Sequence, residues 1–345
     1  SKQYAKALEQ YRLVLEKVPN ADHVVVALAE VYLKMGQYDE AIQWHREVVK
    51  RQPKNATAYA NLGVAFGGKG QTKEEIESYR KAIALNASDP VVHYNLGAAY
   101  EKAKKDSDAL HEYQKVLELK PDDPDATERI AELHFKAKRY TEAIPLYEKA
   151  LKTSPRKALI HGRLGFAYAE TKKHAQSVEN YQKAMKLGSK DPLVQQSLAQ
   201  AYQQTGKARE SIAIYEKLAA AKPTVEVLNQ LAAAYLKEKS YDKAIQTYRR
   251  LIEMKPRQAA YYSALAYAYG LKGDLDREIE YYRMSLRLDP EDDEAYMNLG
   301  TAYEMKGLYP EALKAYTAAH ELNPEAGAGR KITQLKIRIM QQKQK

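Results

Sequence analysis

A proline that returns about every 34 residues is the feature that most constrains how this 345-residue chain can fold. Eight prolines follow one series of 34-residue steps, in which a single step is 33 residues long and two positions hold another residue. They are Pro19, Pro53, Pro121, Pro155, Pro223, Pro256, Pro290 and Pro324. Self-similarity at a fixed period of this length is typical of repeat architectures, in which each repeat packs mainly against its neighbours. The chain is therefore expected to fold as an array of repeats.

Nine complete repeats fit this frame when the proline is placed at position 32. They begin at Asp22, Ala56, Pro90, Pro124, Ala158, Pro192, Val225, Ala259 and Asp293. Position 7 is Leu or Ile, position 8 is Gly or Ala, and position 24 is Tyr in all but the first repeat. The apolar positions 4, 7, 8 and 11, and then 17, 20, 24 and 27, have the spacing of one face of a helix. Each repeat is therefore predicted to be two amphipathic helices that bury their apolar faces by stacking.

Short motifs mark the ends of these helices. Asp89, Asp123 and Asp191 each precede a proline, which places an N-cap acid before a residue suited to the first helical position. Glycines at position 15, where the hairpin turns, easily adopt a positive φ: Gly36, Gly70, Gly206, Gly273 and Gly307.

This pattern resembles the tetratricopeptide repeat in the order of its signature positions: aromatic, Leu, Gly or Ala and Tyr, followed by Ala, Tyr, Ala and Pro. The resemblance extends over nearly the whole chain. It implies an all-α fold, a right-handed superhelical solenoid of antiparallel helix hairpins. It also implies a concave groove, lined by the first helix of each hairpin, that binds extended peptides or partner helices.

Three segments follow from the frame. Residues 1–21 match the second half of a repeat and are predicted to be the second helix of a truncated one. Residues 22–326 hold the nine repeats, and residues 327–345 are predicted to form a capping helix with a basic tail. We expect one continuous solenoid domain. The exposed helix at the truncated N-terminus is a candidate for pairing with a second copy in a homodimer.

The charge does not favour nucleic acid as a partner. Of the net charge of +10, residues 330–345 contribute six Lys or Arg and no acid, which leaves 10 − 6 = +4 for the rest. The groove positions of the fourth and ninth repeats are rich in Asp and Glu, so a cationic stripe is missing. No apolar run is long enough for a membrane span.

No cofactor, metal or catalytic site is expected. The segment from Gly63 to Gly70 resembles a phosphate-binding loop, but Gly70 stands where Ser or Thr would hold the magnesium. The histidines mostly occupy core positions of the repeat, and there is no cysteine. We therefore expect a non-enzymatic chain. The alternative is a regulatory or substrate-recruiting arm of a larger enzyme whose catalytic domain lies outside this chain.

Two carboxylates stand at a crowded position. Glu75 and Glu278 occupy position 20, which is Ala in most repeats and faces the crossing between the two helices. Burial of an unpaired carboxylate is costly, so each is expected to reach solvent or to find a cation. Pro145, inside the second helix of the fourth repeat, is expected to bend that helix.

Positions 2, 5, 9, 12 and 13 face the groove in the family whose pattern the chain resembles. The candidate peptide-binding residues at such positions are Tyr94, Glu128, Glu132, Phe135, Phe166, Gln196, Gln200, Gln203, Tyr267 and Met297. Exposed aromatic side chains are frequent anchors for a partner, and glutamines can bond a peptide backbone. The acids of the fourth repeat favour a basic segment of the partner. The predicted function is a protein-interaction scaffold that binds a partner protein or an extended peptide in this groove.

Overall fold

The computed structural model describes residues 2–154, 156–325 and 327–343, which form twenty α-helices and no strand. The prediction of an all-α fold built from helix hairpins is therefore confirmed. The chain divides into two compact units, an N-terminal unit, Ser1–Lys173, and a C-terminal unit, His174–Lys345.

The N-terminal unit contains ten helices, in which α2 pairs with α3, α4 with α5, α6 with α7 and α8 with α9. Their bounds are α1 Lys2–Lys17, α2 Asp22–Lys34, α3 Tyr38–Arg51, α4 Ala56–Gly68, α5 Thr72–Leu85, α6 Pro90–Lys102, α7 Asp106–Leu119, α8 Pro124–Lys136, α9 Tyr140–Ala150 and α10 Lys157–Glu170.

The C-terminal unit contains the other ten, in which α12 pairs with α13, α14 with α15, α16 with α17 and α18 with α19. Their bounds are α11 His174–Lys186, α12 Pro192–Gln204, α13 Ala208–Ala221, α14 Val225–Lys237, α15 Tyr241–Met254, α16 Ala259–Lys272, α17 Leu275–Leu288, α18 Asp293–Met305, α19 Tyr309–Leu322 and α20 Ala328–Lys343.

The helix ends agree with the capping motifs. The carboxylates of Asp89, Asp123 and Asp191 accept hydrogen bonds from backbone N–H groups in the first turns of α6, α8 and α12. The glycines of position 15 all have φ between +71° and +87°. In the repeats without that glycine a lysine adopts the same conformation: Lys104, Lys138, Lys172 and Lys239. The hairpin geometry thus imposes the left-handed conformation even where the residue does not favour it.

The hairpin core is built on the tyrosine of position 24. The ring of Tyr79 lies so close to Gly63 that a Cβ on this glycine would stand 2.5 Å from the ring. Tyr113 covers Gly97 in the same way. The small residue of position 8 therefore lets a large aromatic ring lie directly on the backbone of the first helix.

Tyrosine hydroxyls also connect successive repeats, a contact that Phe cannot make, in a chain with 28 Tyr and 3 Phe. The hydroxyl of a position 11 tyrosine meets a polar side chain at position 25 of the preceding repeat. Five such pairs, with distances of 2.5 to 2.7 Å, are Arg12 with Tyr32, Glu148 with Tyr168, Gln182 with Tyr202, Glu216 with Tyr235 and Arg249 with Tyr269. Where position 11 is Phe66, the Arg46 guanidinium lies 5.7 Å from the ring centroid instead.

We expect Tyr235→Phe to lower the free energy of unfolding by about 1 kcal/mol, because the Glu216 carboxylate loses a donor at 2.5 Å. Tyr215→Phe is the matched control, since this ring is equally buried and its hydroxyl makes no hydrogen bond within the described part of the chain. Urea unfolding followed by circular dichroism measures both variants. Equal losses would mean that the hydroxyl contact between repeats adds nothing to stability.

Candidate functional site

All ten candidate residues lie on first helices of the hairpins, which are α6, α8 and α10 in the N-terminal unit and α12, α16 and α18 in the C-terminal unit. We call the solvent-accessible side of the first helices within either unit the first-helix face. The structure groups some of the candidates and separates others, and it places them in very different surroundings.

Phe135 and Phe166 form an aromatic cluster with Tyr140 on the first-helix face of the N-terminal unit. The centroid of the Phe135 ring is 5.4 Å from that of Phe166 and 5.4 Å from that of Tyr140, and the Tyr140 and Phe166 centroids are 5.8 Å apart. Phe135 is half-buried, whereas Phe166 keeps 38% of its surface exposed. The guanidinium of Arg163 lies 4.8 Å from the Phe135 centroid. The cluster is therefore a preformed apolar surface with one ring open to solvent.

Glu132 lies beside this cluster, and its carboxylate is already paired. The Tyr147 hydroxyl donates to one oxygen at 2.6 Å, and the Arg163 guanidinium donates to the other at 2.9 Å. Burial, together with the neighbouring Glu132, raises the pKa of Tyr147, so its hydroxyl remains a donor. Arg163 thus covers Phe135 with its charged plane and neutralises Glu132 at the same time.

Glu128 is buried and holds a loop instead of facing a partner. Its carboxylate accepts from the Ser154 hydroxyl at 3.1 Å and pairs with the Arg156 guanidinium at 2.9 Å. Both partners follow α9, which contains Pro145 and has only 11 residues. Because Glu128 and Glu132 each have an internal arginine, the charge argument for a basic partner segment at the fourth repeat is not supported by the structure.

Tyr94 lies one repeat earlier in a similar arrangement. Its half-buried ring is 5.3 Å from that of Tyr113, whose hydroxyl donates to Glu101 at 2.7 Å. Glu101 also pairs with Arg129 at 3.7 Å and Lys136 at 3.2 Å. Tyr94 is therefore a packing residue more than an exposed anchor.

Sequence reasoning missed Glu101 and Arg163 as members of these networks. In both repeats a position 24 tyrosine donates to an acid at position 9 or 12, and that acid pairs with an arginine at position 6 of the next repeat. A comparison of these positions between adjacent repeats would have revealed the pairing. At the C-terminal end Glu304 has the same surroundings, with the Tyr316 hydroxyl at 2.8 Å and Lys331 of α20 at 3.3 Å.

Gln196 and Gln200 lie together in the C-terminal unit. They line a cavity of about 210 Å³ between α12 and α14, with Leu193, Tyr215 and Gln230 also on its wall. Gln203, in contrast, is half-buried outside this wall, and its backbone carbonyl accepts from Lys237 at 3.0 Å. Two of the three predicted glutamines therefore line one recess.

Tyr267 and Met297 differ in exposure. Tyr267 on α16 keeps 50% of its surface exposed, so it is available to a partner. Met297 is half-buried and packs against a core formed by Ala312, Tyr316 and Leu335, which includes α20. Met297 therefore helps to attach the last helix and is a poor candidate for an anchor.

Glu75 and Glu278 have different surroundings, although they occupy the same position of the repeat. The Glu75 side chain is only 5% exposed and pairs with Lys102, whose Nζ is 3.1 and 3.3 Å from the two carboxylate oxygens. Glu278 is half-buried, and burial raises its pKa to about 7. Among the described residues no cation pairs with Glu278, so of the two expected alternatives, solvent or a cation, the cation is found for Glu75 alone.

The structure also bears on the segment that resembles a phosphate-binding loop, on metal binding and on the first helix. The residues from Gly63 to Gly68 lie within α4, so most of the segment that resembles a phosphate-binding loop is helical. Within residues 2–154, 156–325 and 327–343, no group of three or more His, Asp and Glu side chains is arranged to hold a metal ion. Leu13 and Val14 in the C-terminal half of α1, and Val18 directly after this helix, are exposed. The pairing of α1 with a second copy stays a prediction.

None of the helices in the described part of the chain is long and apolar enough to cross a membrane.

Comparison with protein-family models gives four matches. Three models described as tetratricopeptide repeat match residues 134–201, residues 197–259 and 241–293, and residues 293–325, which together span 134–325. A model of the C-terminal ARM domain of tetratricopeptide repeat protein 21 matches residues 1–132. The sequence matches none of the curated proteins.

Solved structures of similar fold have low sequence identity. A structure of Naa15 and Naa10 bound to HypK-THB contains a chain with 13% identity and a TM-score of 0.49, over 92% of this chain and 66% of that one. A MamA structure has 22% identity and a TM-score of 0.45, over 48% of this chain and 90% of that one. A tetratricopeptide repeat protein from Parabacteroides merdae has 18% identity and a TM-score of 0.46, over 75% of this chain and 99% of that one.

Proposed function

Because the chain is a tetratricopeptide-repeat protein, we propose that it is an interaction scaffold that binds an extended segment of a partner protein on its first-helix face. Repeats of this family are protein-interaction modules. The proposal assigns binding to particular residues of the N-terminal unit, and it gives the chain no catalytic step.

The observation that carries the proposal is the exposure of Phe166 within the aromatic cluster. Its ring rests on Phe135 and Tyr140, which hold it at a fixed place, yet 38% of its surface faces solvent. Leu159, seven residues earlier on α10, is also exposed and lies on the same side of that helix. An exposed aromatic ring on a rigid support is a common anchor in protein interfaces.

The electrostatics of this surface favour an apolar contact over a charged one. Arg156 and Arg163 already neutralise Glu128 and Glu132, so a basic partner would have to compete with internal ion pairs. An apolar side chain that covers Phe166 removes apolar surface from water without breaking a pair. We therefore expect the partner segment to present Leu, Ile, Met or an aromatic residue at this place.

The test uses random peptides displayed on phage, selected on the full chain and then synthesised with a fluorescent label. Fluorescence polarisation gives the Kd of each peptide for the wild-type chain and for two variants. We expect Phe166→Ala to weaken binding about thirtyfold, the effect of a hot-spot residue worth about 2 kcal/mol. Leu119→Ala is the matched control and is expected to leave Kd unchanged, since Leu119 is 40% exposed but ends a second helix, α7.

Circular dichroism shows whether both variants keep the helical content of the wild-type chain. If the selected peptides bind Phe166→Ala as tightly as the wild type, the first-helix face of the N-terminal unit is not the binding surface. If no selected peptide binds the wild-type chain, the proposal of extended-segment recognition is wrong.

A further inference from the structure

Two repeats share a pair of unusual residues, Glu at position 20 and Gly at position 12. Glu75 is accompanied by Gly67, and Glu278 by Gly270, while the other repeats have neither a Glu at position 20 nor a Gly at position 12. In both repeats a Cβ on the glycine would lie 2.5 Å from an oxygen of that carboxylate. Each Glu side chain therefore crosses from the second helix over the first, in a space that only glycine leaves free.

In the N-terminal unit the carboxylate that lies over Gly67 is neutralised by the next hairpin. Lys102 stands at position 13 of the following first helix, and its Nζ bonds both oxygens of Glu75. A carboxylate with so little exposure needs such a partner, because an unpaired buried charge is strongly unfavourable. Lys102 thus shows where a cation binds when a Glu occupies this place.

In the C-terminal unit the equivalent of Lys102 is Met305, which is 68% exposed. The nearby cations are bound elsewhere: Lys272 to Asp242, Arg277 to Asp274 and Tyr269, and Lys306 to Asp276. The other polar groups on this side are neutral or acidic. Burial raises the pKa of Tyr282 on α17, and the nearby Glu278, Tyr267 of α16, Glu294 of α18 and the N-cap Asp292 raise this pKa further, so these groups lie near one another.

Exposed apolar side chains lie on both helices next to Glu278. Tyr267 and Leu271 are one turn apart on α16 and are both exposed, and Met305 lies on α18. A lysine or arginine combines an apolar stem with a charged head, so it suits an apolar rim around a carboxylate. The face of a tyrosine ring also attracts a cation.

We propose that Glu278, Tyr267, Leu271 and Met305 form a binding site for one basic side chain of a partner protein. The charge of that side chain takes the place at Glu278 that Lys102 takes at Glu75, and its stem lies against Leu271 and Met305. The inference rests on the proposed function as a protein-interaction scaffold and adds a second surface, in the C-terminal unit, with its own specificity.

The test measures binding of acetyl-Leu-Lys-Leu-amide to the full chain at pH 8, where Glu278, with its pKa of about 7, is mostly ionised. Ligand-observed NMR gives the Kd, and the same peptide with norleucine in place of Lys is the uncharged control. An arginine version tests the other basic side chain. We expect the basic peptides to bind about tenfold more tightly than the norleucine peptide, because only they neutralise the carboxylate.

Two substitutions should abolish this difference. Glu278→Gln removes the charge, and Met305→Lys supplies an internal cation like Lys102, so both variants are expected to bind the lysine and norleucine peptides equally. Lys102→Met makes the opposite change, since it frees Glu75. If this variant keeps its helical content, we expect a second binding site for the lysine peptide in the N-terminal unit.

Three results would overturn the inference. The norleucine peptide could bind the wild type as tightly as the lysine peptide, or the preference for lysine could survive in both Glu278→Gln and Met305→Lys. The third is an absence of saturable binding in the millimolar range. Phe166→Ala separates this site from the proposed function, because it is expected to leave the lysine preference intact. Binding of the phage-selected peptides therefore tests the surface at Phe166, and the preference for lysine tests the site at Glu278, so each proposal can fail without the other.

Discussion

Replacement of Tyr147 by alanine is expected to lower the free energy of unfolding of the N-terminal unit by about 3–5 kcal/mol, the range for loss of a large buried aromatic ring. The Tyr147 ring is almost fully buried among Ala131, Ile144 and Leu164, and its centroid is 6.2 Å from that of Phe135, with the two rings edge to face. The substitution leaves a cavity under the aromatic cluster. It also removes the donor at 2.6 Å from the Glu132 carboxylate.

Tyr147→Phe separates the ring from the hydroxyl. This variant keeps the packing and loses only the bond to Glu132, which still has the Arg163 guanidinium at 2.9 Å. We expect it to lower the free energy of unfolding by about 1–2 kcal/mol, the usual contribution of a hydrogen bond to a charged group.

Hydrogen exchange, measured on the fragments of the chain that cover α8, α9 and α10, reports the loss of local stability in each variant. A local measurement is needed because stability in a repeat array varies from place to place. The variants are compared with the wild type under identical conditions. If Tyr147→Ala loses no more stability than Tyr147→Phe, the Tyr147 ring does not support the aromatic cluster. Peptide binding at Phe166 should weaken in Tyr147→Ala and persist in Tyr147→Phe.

The second large effect is expected at Glu278, as a dependence of stability on pH. Burial raises the pKa of Glu278 from its ordinary value of 4.5 to about 7 in the folded chain. Between these two values the folded protein holds a proton that the unfolded chain has released, so stability falls as the pH rises through this window. The contribution is fully present below about pH 4.5 and is lost above about pH 7.

The glutamine side chain of Glu278→Gln is neutral at every pH, so this variant does not lose stability as the pH rises through this window. Each unit of pKa shift corresponds to about 1.4 kcal/mol, and partial hydration of the half-buried carboxyl reduces the total. We expect the variant to be more stable than the wild type by about 2 kcal/mol at pH 8, and by much less at pH 5.

Hydrogen exchange across α16, α17 and α18 measures this difference at the two pH values, after correction for the intrinsic exchange rate. Glu280→Gln is the control, because Glu280 lies exposed on the same helix, and its substitution should not change the pH dependence. An unchanged slope in Glu278→Gln would show that this carboxyl is hydrated. Met305→Lys should also flatten the slope, because an added cation favours the ionised carboxylate.

The candidate site was predictable in part. Phe135 and Phe166 stand at positions 12 and 9 of adjacent repeats, so the frame alone places both on first helices, and the structure brings their rings together. The same frame treated Glu128 and Met297 as groove residues, although one is buried against Arg156 and the other packs against α20. A position number gives the side of a helix, but it does not say what the neighbouring helix or loop places there.

The sequence by itself determined the repeat, the two helices of each hairpin and their caps, because these depend on local periodicity and on residues such as Asp89 and Gly273 that act within one turn. Only the tertiary structure decided which charged side chains are paired. Lys102 neutralises Glu75, whereas Met305 at the matching position supplies no charge and Glu278 pairs with no cation among the residues that the structure describes, although both carboxylates occupy the same position of the repeat. The physical reason is that long side chains choose partners on the next hairpin, where packing sets the distances between atoms and the exposure of each charge.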